Sequence, residues 1–77
     1  MLLLASAVVV SFGLAQASVK PTRGTCPQSH PIKGSISSTG ERIYHEPDGR
    51  FYKRTRPEIC FRTAADARQA GFRASLR

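Results

Sequence analysis

Glu58-Ile59-Cys60-Phe61-Arg62-Thr63-Ala64-Ala65-Asp66-Ala67-Arg68-Gln69-Ala70-Gly71-Phe72 changes its pattern from alternation to helical spacing within fifteen residues, and that change decides the fold class. Ile59 and Phe61 fall on one face of an extended segment and Cys60 on the other, which predicts a strand. Thr63 then stands three residues ahead of Asp66 in a capping-box pattern, and Ala64, Ala67 and Ala70 line one narrow stripe before Gly71. This predicts a two-turn helix ended by glycine. Phe72 is placed to fold back on Ala67, the apolar contact that accompanies a Schellman cap. An alanine stripe lets the helix lie close to a sheet, but it buries little area.

Working back from this unit, Arg56-Pro57 breaks the chain direction. Before it, Arg42-Ile43-Tyr44-His45 and Arg50-Phe51-Tyr52-Lys53 flank Glu46-Pro47-Asp48-Gly49. Pro47 presets φ for a type I turn, Asp48 suits the next position and Gly49 can close a bulge, so a hairpin over residues 43–52 is expected. Ile32 to Ile36 reads as a short strand weakened by Gly34, and Ser37-Ser38-Thr39-Gly40 as a turn. The expected architecture is a small α+β domain over residues 31–77, with an antiparallel sheet of three to four short strands and one short C-terminal helix. Its expected core is Ile32, Ile36, Ile43, Phe51, Ile59, Phe61 and Phe72.

Residues 18–30 are rich in Lys, Pro, Thr, Arg, Gly and Ser without periodicity, and are read as a flexible lead-in held at Cys26. Ahead of them, Leu2 to Leu14 is apolar or small throughout, and Ala15-Gln16-Ala17 supplies the small-x-small pattern of a signal-peptidase site. A cleavable signal peptide over residues 1–17 is expected, cut after Ala17, although the terminal amine is the only positive charge ahead of the apolar run. A spanning helix needs about 20 apolar residues, and this shorter run is interrupted by Ser6, Ser11 and Gly13, so no stable membrane insertion is expected after cleavage. The expected location is secreted or periplasmic.

All of the net charge of +7 lies beyond residue 17. Residues 18–49 carry four basic and three acidic side chains, whereas residues 50–77 carry eight and two. A basic partner surface therefore belongs to the C-terminal half. A domain of some sixty residues is close to the lower limit at which a single core offsets chain entropy, and small exported domains commonly add a staple. Cys26 and Cys60 are the available staple, and a disulfide between them is expected in an oxidising compartment.

The order Pro31-Ile32-Lys33-Gly34-Ser35-Ile36-Ser37, Gly40-Glu41-Arg42-Ile43-Tyr44-His45, Gly49-Arg50-Phe51-Tyr52, Pro57-Glu58-Ile59-Cys60-Phe61 and Ala64 through Arg73 resembles the sunset domain. That bacterial module occurs as a stand-alone secreted piece and as the C-terminal tail of thermonuclease-like proteins. The similarity spans Cys26 to Arg73 and implies no catalytic residues, since the nuclease chemistry of those proteins sits in a separate barrel domain. A more distant similarity links the Ile-Tyr-His strand, the Cys-Phe strand and the Ala-rich helix to the metal-binding domain of the Ada DNA-repair family. That family places four cysteines around zinc; this chain has two.

Three chemistries were weighed. Cys26, His30, Cys60 and His45 offer thiolate and imidazole for a tetrahedral zinc, but without a Cys-x2-Cys or His-x3-His pair, so no metal or other cofactor is expected. His45 with Glu46 and Asp48 has the composition of a general base beside carboxylates, on an expected hairpin tip where polar residues are ordinary. No nucleophile elbow, phosphate loop or paired-His motif accompanies it, and the chain is not expected to be an enzyme. Arg50, Lys53, Arg54 and Arg56 interleave with Phe51 and Tyr52, a composition that neutralises anions and stacks on bases. The leading expectation is a monomeric binding module for nucleic acid or acidic envelope polysaccharide through Arg50, Tyr52, Lys53, Arg54 and Arg56. Docking onto another secreted protein, and service as an accessory tail of a nuclease system, remain open beside it.

Overall fold

The central hairpin joins β2 (Ile32–Ile36) to β3 (Arg42–His45), with Lys33 opposite His45 and Ile36 opposite Arg42. Its turn is the Ser37–Gly40 segment, closed by Gly40 N–H to the Ser37 carbonyl at 2.9 Å and by Ser37 N–H to the Glu41 carbonyl at 2.9 Å. The Ser37 hydroxyl also accepts from the Glu41 amide, so a side chain finishes what the backbone starts. This computed structural model describes residues 16–76. Residues 1–15, which hold most of the expected leader, and Arg77 lie outside the described residues.

Three further strands complete the sheet. β4 (Ile59–Phe61) pairs with the other edge of β2, Ile32 opposite Phe61 and Gly34 opposite Ile59. β1 (Ser18–Val19) pairs with β4, and β5 (Arg73–Ala74) runs parallel to β3. The order is β1-β4-β2-β3-β5. The fold is thus α+β with a mixed five-stranded sheet, where a purely antiparallel one was expected. The β3–β5 pair is parallel because α1 (Ala64–Gln69) carries the chain back across the sheet before β5 begins.

The helix forms as its sequence dictates. The Thr63 hydroxyl accepts from the Asp66 amide at 3.1 Å, and at the other end Gly71 takes φ 92°, where a side chain would be strained. Phe72 N–H then bonds the Ala67 carbonyl and Gly71 N–H the Arg68 carbonyl, the paired bonds of a Schellman cap. That cap turns Phe72 into the core, edge-on to Phe61 with ring centroids 5.1 Å apart.

The core is a single layer between α1 and one face of the sheet: Ile32, Tyr44, Phe61, Ala67 and Phe72 are buried, with Ile59 and Ala64 packed against them. Register places Ile32, Gly34, Tyr44, Ile59 and Phe61 on this face. Gly34 is required there by space, because a Cβ would stand 2.8 Å from Ile59 Cγ2, 2.9 Å from Phe61 Cε2 and 3.0 Å from Phe72 Cε2. Of the expected core, Ile36 is instead 45% exposed, and Ile43 and Phe51 are half-buried away from the helix. Tyr44 takes the place expected of Ile43, since it is Tyr44 that pairs with Gly34.

The opposite face carries Lys33, Ser35, Ile43, His45 and Cys60. Cys60 is wholly buried and bonded to Cys26, with Cα atoms 5.6 Å apart. The stretch from residue 18 to 30, expected to be a flexible lead-in, is tied down at several points. It contributes β1, a Thr22–Thr25 bridge and the disulfide, and ends at His30, whose buried ring donates from Nε2 to the Gln16 carbonyl at 2.7 Å while Nδ1 accepts from the Ser29 hydroxyl. The Ala17 carbonyl accepts from the Arg62 amide at 3.3 Å. Composition does not announce most of these contacts, because β4, Cys60, Arg62 and Gln16 lie 14 to 45 residues from their partners.

Candidate functional site

The expected 43–52 hairpin does not form. After β3, the chain makes successive turns: Gly49 N–H bonds the Glu46 carbonyl, Tyr52 N–H the Gly49 carbonyl and Thr55 N–H the Tyr52 carbonyl. Arg50-Phe51-Tyr52-Lys53 alternates like a strand, but β2 on one side and β5 on the other occupy both edges of β3. The segment coils instead into a knob on the sheet face opposite the helix.

Lys33 anchors the knob. Its Nζ donates to the Tyr52 carbonyl at 2.7 Å and the Thr55 carbonyl at 3.1 Å, and lies 4.2 Å from the Tyr52 ring centroid. The Tyr52 hydroxyl donates to the Pro31 carbonyl, and Thr55 Oγ1 donates to the Phe51 carbonyl at 2.6 Å. Burial pushes the Lys33 ammonium below its ordinary value and the Tyr52 phenol above its own. Pro57 is buried beneath the knob, and Glu58 returns the chain to the sheet, its amide bonded to the Gly34 carbonyl and its carboxylate accepting from the Ile36 amide.

Arg50, Lys53, Arg54 and Arg56 are exposed on this knob. The guanidinium carbons of Arg54 and Arg50 stand 5.0 Å and 5.7 Å from the centroid of the half-buried Phe51 ring. Among the described residues, none of the four makes an ion pair. The remaining described arginines beyond residue 41 are committed elsewhere: Arg62 to Asp66, Arg73 to Glu41, Arg68 to the Tyr44 hydroxyl and Arg42 to the Ala70 carbonyl. The structure therefore brings all four expected cations together and separates them from the arginines that serve the fold. Tyr52, expected beside them as a contact residue, is half-buried with its hydroxyl already used.

On the other side of the Glu46–Gly49 turn is a hollow of about 270 Å³ lined by Tyr44, His45, Glu46, Asp48, Gly49, Ala74 and Ser75. His45 belongs to β3, not to a hairpin tip, and its buried Nδ1 has no hydrogen-bond partner among the described residues. Burial, and then the charge of Lys33 opposite, lower its pKa from the ordinary value. Neither carboxylate bonds this nitrogen. The four-residue zinc set is also taken apart, because both thiols are consumed in the disulfide.

Lys33 is the anchoring residue of the knob that reading by composition missed. A lysine between Ile32 and Gly34 looks like an ordinary outward-facing strand position, and its two carbonyl acceptors lie 19 and 22 residues away.

The model of the ArfC family matches residues 11–74, a span that includes every strand and the helix described above. The chain belongs to the ArfC family. The match begins seven residues ahead of β1, within the segment read as a leader. No curated protein and no solved structure matches the chain.

Proposed function

We propose that this ArfC-family chain is an exported, non-catalytic module that binds an anionic polymer, nucleic acid or acidic envelope polysaccharide, through the knob bearing Arg50, Lys53, Arg54 and Arg56. The observation that carries the reading is the sorting of the cations: these four face solvent without carboxylate partners, while the neighbouring arginines are bonded within the fold. Unpaired cations grouped on one turn hold a field that a polymer can relieve by releasing its counterions. The Cys26–Cys60 disulfide is consistent with an oxidising compartment.

The test is the salt dependence of binding. The oxidised protein should bind DNA or an acidic polysaccharide at ~50 mM salt and lose affinity steeply as salt rises. Changing Arg50, Lys53, Arg54 and Arg56 together to Ala should lower the slope of log affinity against log salt by about 3 to 4 for duplex DNA. An unchanged slope rejects the knob as the site, and no binding to either polymer at low salt rejects the function.

A further inference from the structure

We infer that the knob reads the phosphodiester backbone of its polymer and draws nothing from bases. This rests on the polyanion reading and narrows it. Five aromatic side chains lie among the described residues. Tyr44, Phe61 and Phe72 are buried in the core, which leaves Phe51 and Tyr52 as the only rings near the cations.

Both rings are already engaged. Two guanidinium groups share Phe51, and a base that stacked there would have to displace one of them. Tyr52 is held by Lys33 against its ring and by Pro31 at its hydroxyl. Proteins that grip single strands by stacking keep an aromatic face open, and one stacked base is worth roughly 5- to 150-fold in affinity. This knob offers no such platform.

What the Phe51 ring does is hold two arginines. A guanidinium resting on an aromatic face has lost part of its rotational freedom before any ligand arrives, so less is lost on binding. Each group presents a planar fork of N–H donors that fits the two non-bridging oxygens of a phosphodiester. Since both lie near one centroid, Arg50 and Arg54 are no more than about 11 Å apart, close to one screening length at ~0.1 M salt. They act on a backbone as a pair. Glu46 and Asp48, which line the neighbouring hollow, carry the opposite charge and repel a polyanion there.

The experiment compares oligomers of equal phosphate number on the oxidised full chain by fluorescence anisotropy: oligothymidylate, the same backbone without bases, and oligo(glycerol phosphate). All three are expected to bind within about threefold of one another with matching salt slopes. Phe51→Leu, which keeps an apolar side chain and removes the ring, is expected to weaken all three alike. Oligothymidylate binding tenfold or more above the base-free backbone would overturn the inference while leaving the polyanion function intact. Polygalacturonate bound tenfold above every phosphodiester would overturn it in favour of an acidic polysaccharide. If none of these polymers binds at low salt, the polyanion reading itself fails, and this inference with it.

Discussion

The Lys33 ammonium donates to the carbonyl of Tyr52 at 2.7 Å and lies 4.2 Å from the centroid of the same residue's ring, so one side chain of the central strand holds both the backbone and the ring of the basic knob. Lys33→Met keeps the apolar stem and deletes the donor, leaving the Tyr52 and Thr55 carbonyls without their partner. A loss of about 1–3 kcal/mol in urea unfolding is expected. Affinity for polyanions should fall while the salt slope stays unchanged, because Lys33 positions the cations without touching the polymer. A slope reduced in this variant would mean that Lys33 itself meets the ligand.

Gly34 sits where β2, β4 and Phe72 converge, and a methyl group there would collide with Ile59, Phe61 and Phe72 at 3.0 Å or less. Gly34→Ala is expected to cost about 1–3 kcal/mol as overpacking, although alanine is the better strand residue. Chemical denaturation checks this: the midpoint should fall with the m-value unchanged.

The disulfide links residues 34 apart across a domain with one thin core layer. Closing a loop of that length is worth about 4 kcal/mol in the chain-entropy model, comparable with the whole stability expected of so small a domain. Cys26→Ala with Cys60→Ala, or reduction under native conditions, should therefore shift the chain largely to the unfolded state at 37 °C, as seen by circular dichroism. A double variant that unfolds with wild-type cooperativity at a Tm within a few degrees would show that the core suffices alone.

His45 predicts a pH dependence. Its folded pKa is depressed below the ordinary 6.5 by burial and by the charge of Lys33 across the β2–β3 pair. Above about pH 6.5 both folded and unfolded chains keep the ring neutral, and stability is at its plateau. As pH falls through 6.5, the unfolded chain takes up the proton first and stability declines until the folded-state pKa is passed. The charged group that acts on this ring is Lys33 opposite, and Glu46 and Asp48 line the same hollow. Thermal melts at pH 7.5 and 5.5 should show a larger drop for the wild type than for His45→Gln. Equal drops would assign the titration elsewhere.

What could be read from sequence was local. Thr63, Asp66, Gly71 and Phe72 specify the helix and both its ends through bonds spanning three to five residues, and each forms where expected. The Ser37–Gly40 turn was legible for the same reason. Arg50 to Lys53 misled because alternation describes a strand only if a partner edge is free, and β2 and β5 take both edges of β3. One residue of phase then separated Ile43 from Tyr44 in the core, and no feature of a four-residue strand sets that phase before its partner is known. The four cations were visible as composition, whereas their freedom from carboxylates depended on where Asp66 and Glu41 sit in the fold. The clamp formed by Lys33 had no local signature.

The first strand has a consequence for the order of events during synthesis. Ser18 and Val19 have one partner strand, β4, which lies some forty residues downstream. Until Ile59–Phe61 has been made, Ser18 and Val19 have no strand to pair with. The Arg62 amide, just past β4, then takes the Ala17 carbonyl, while the Gln16 carbonyl is held by His30 from within the preceding stretch. A late strand thus completes an early one: β1 acquires its sheet partner only after about forty further residues have been made.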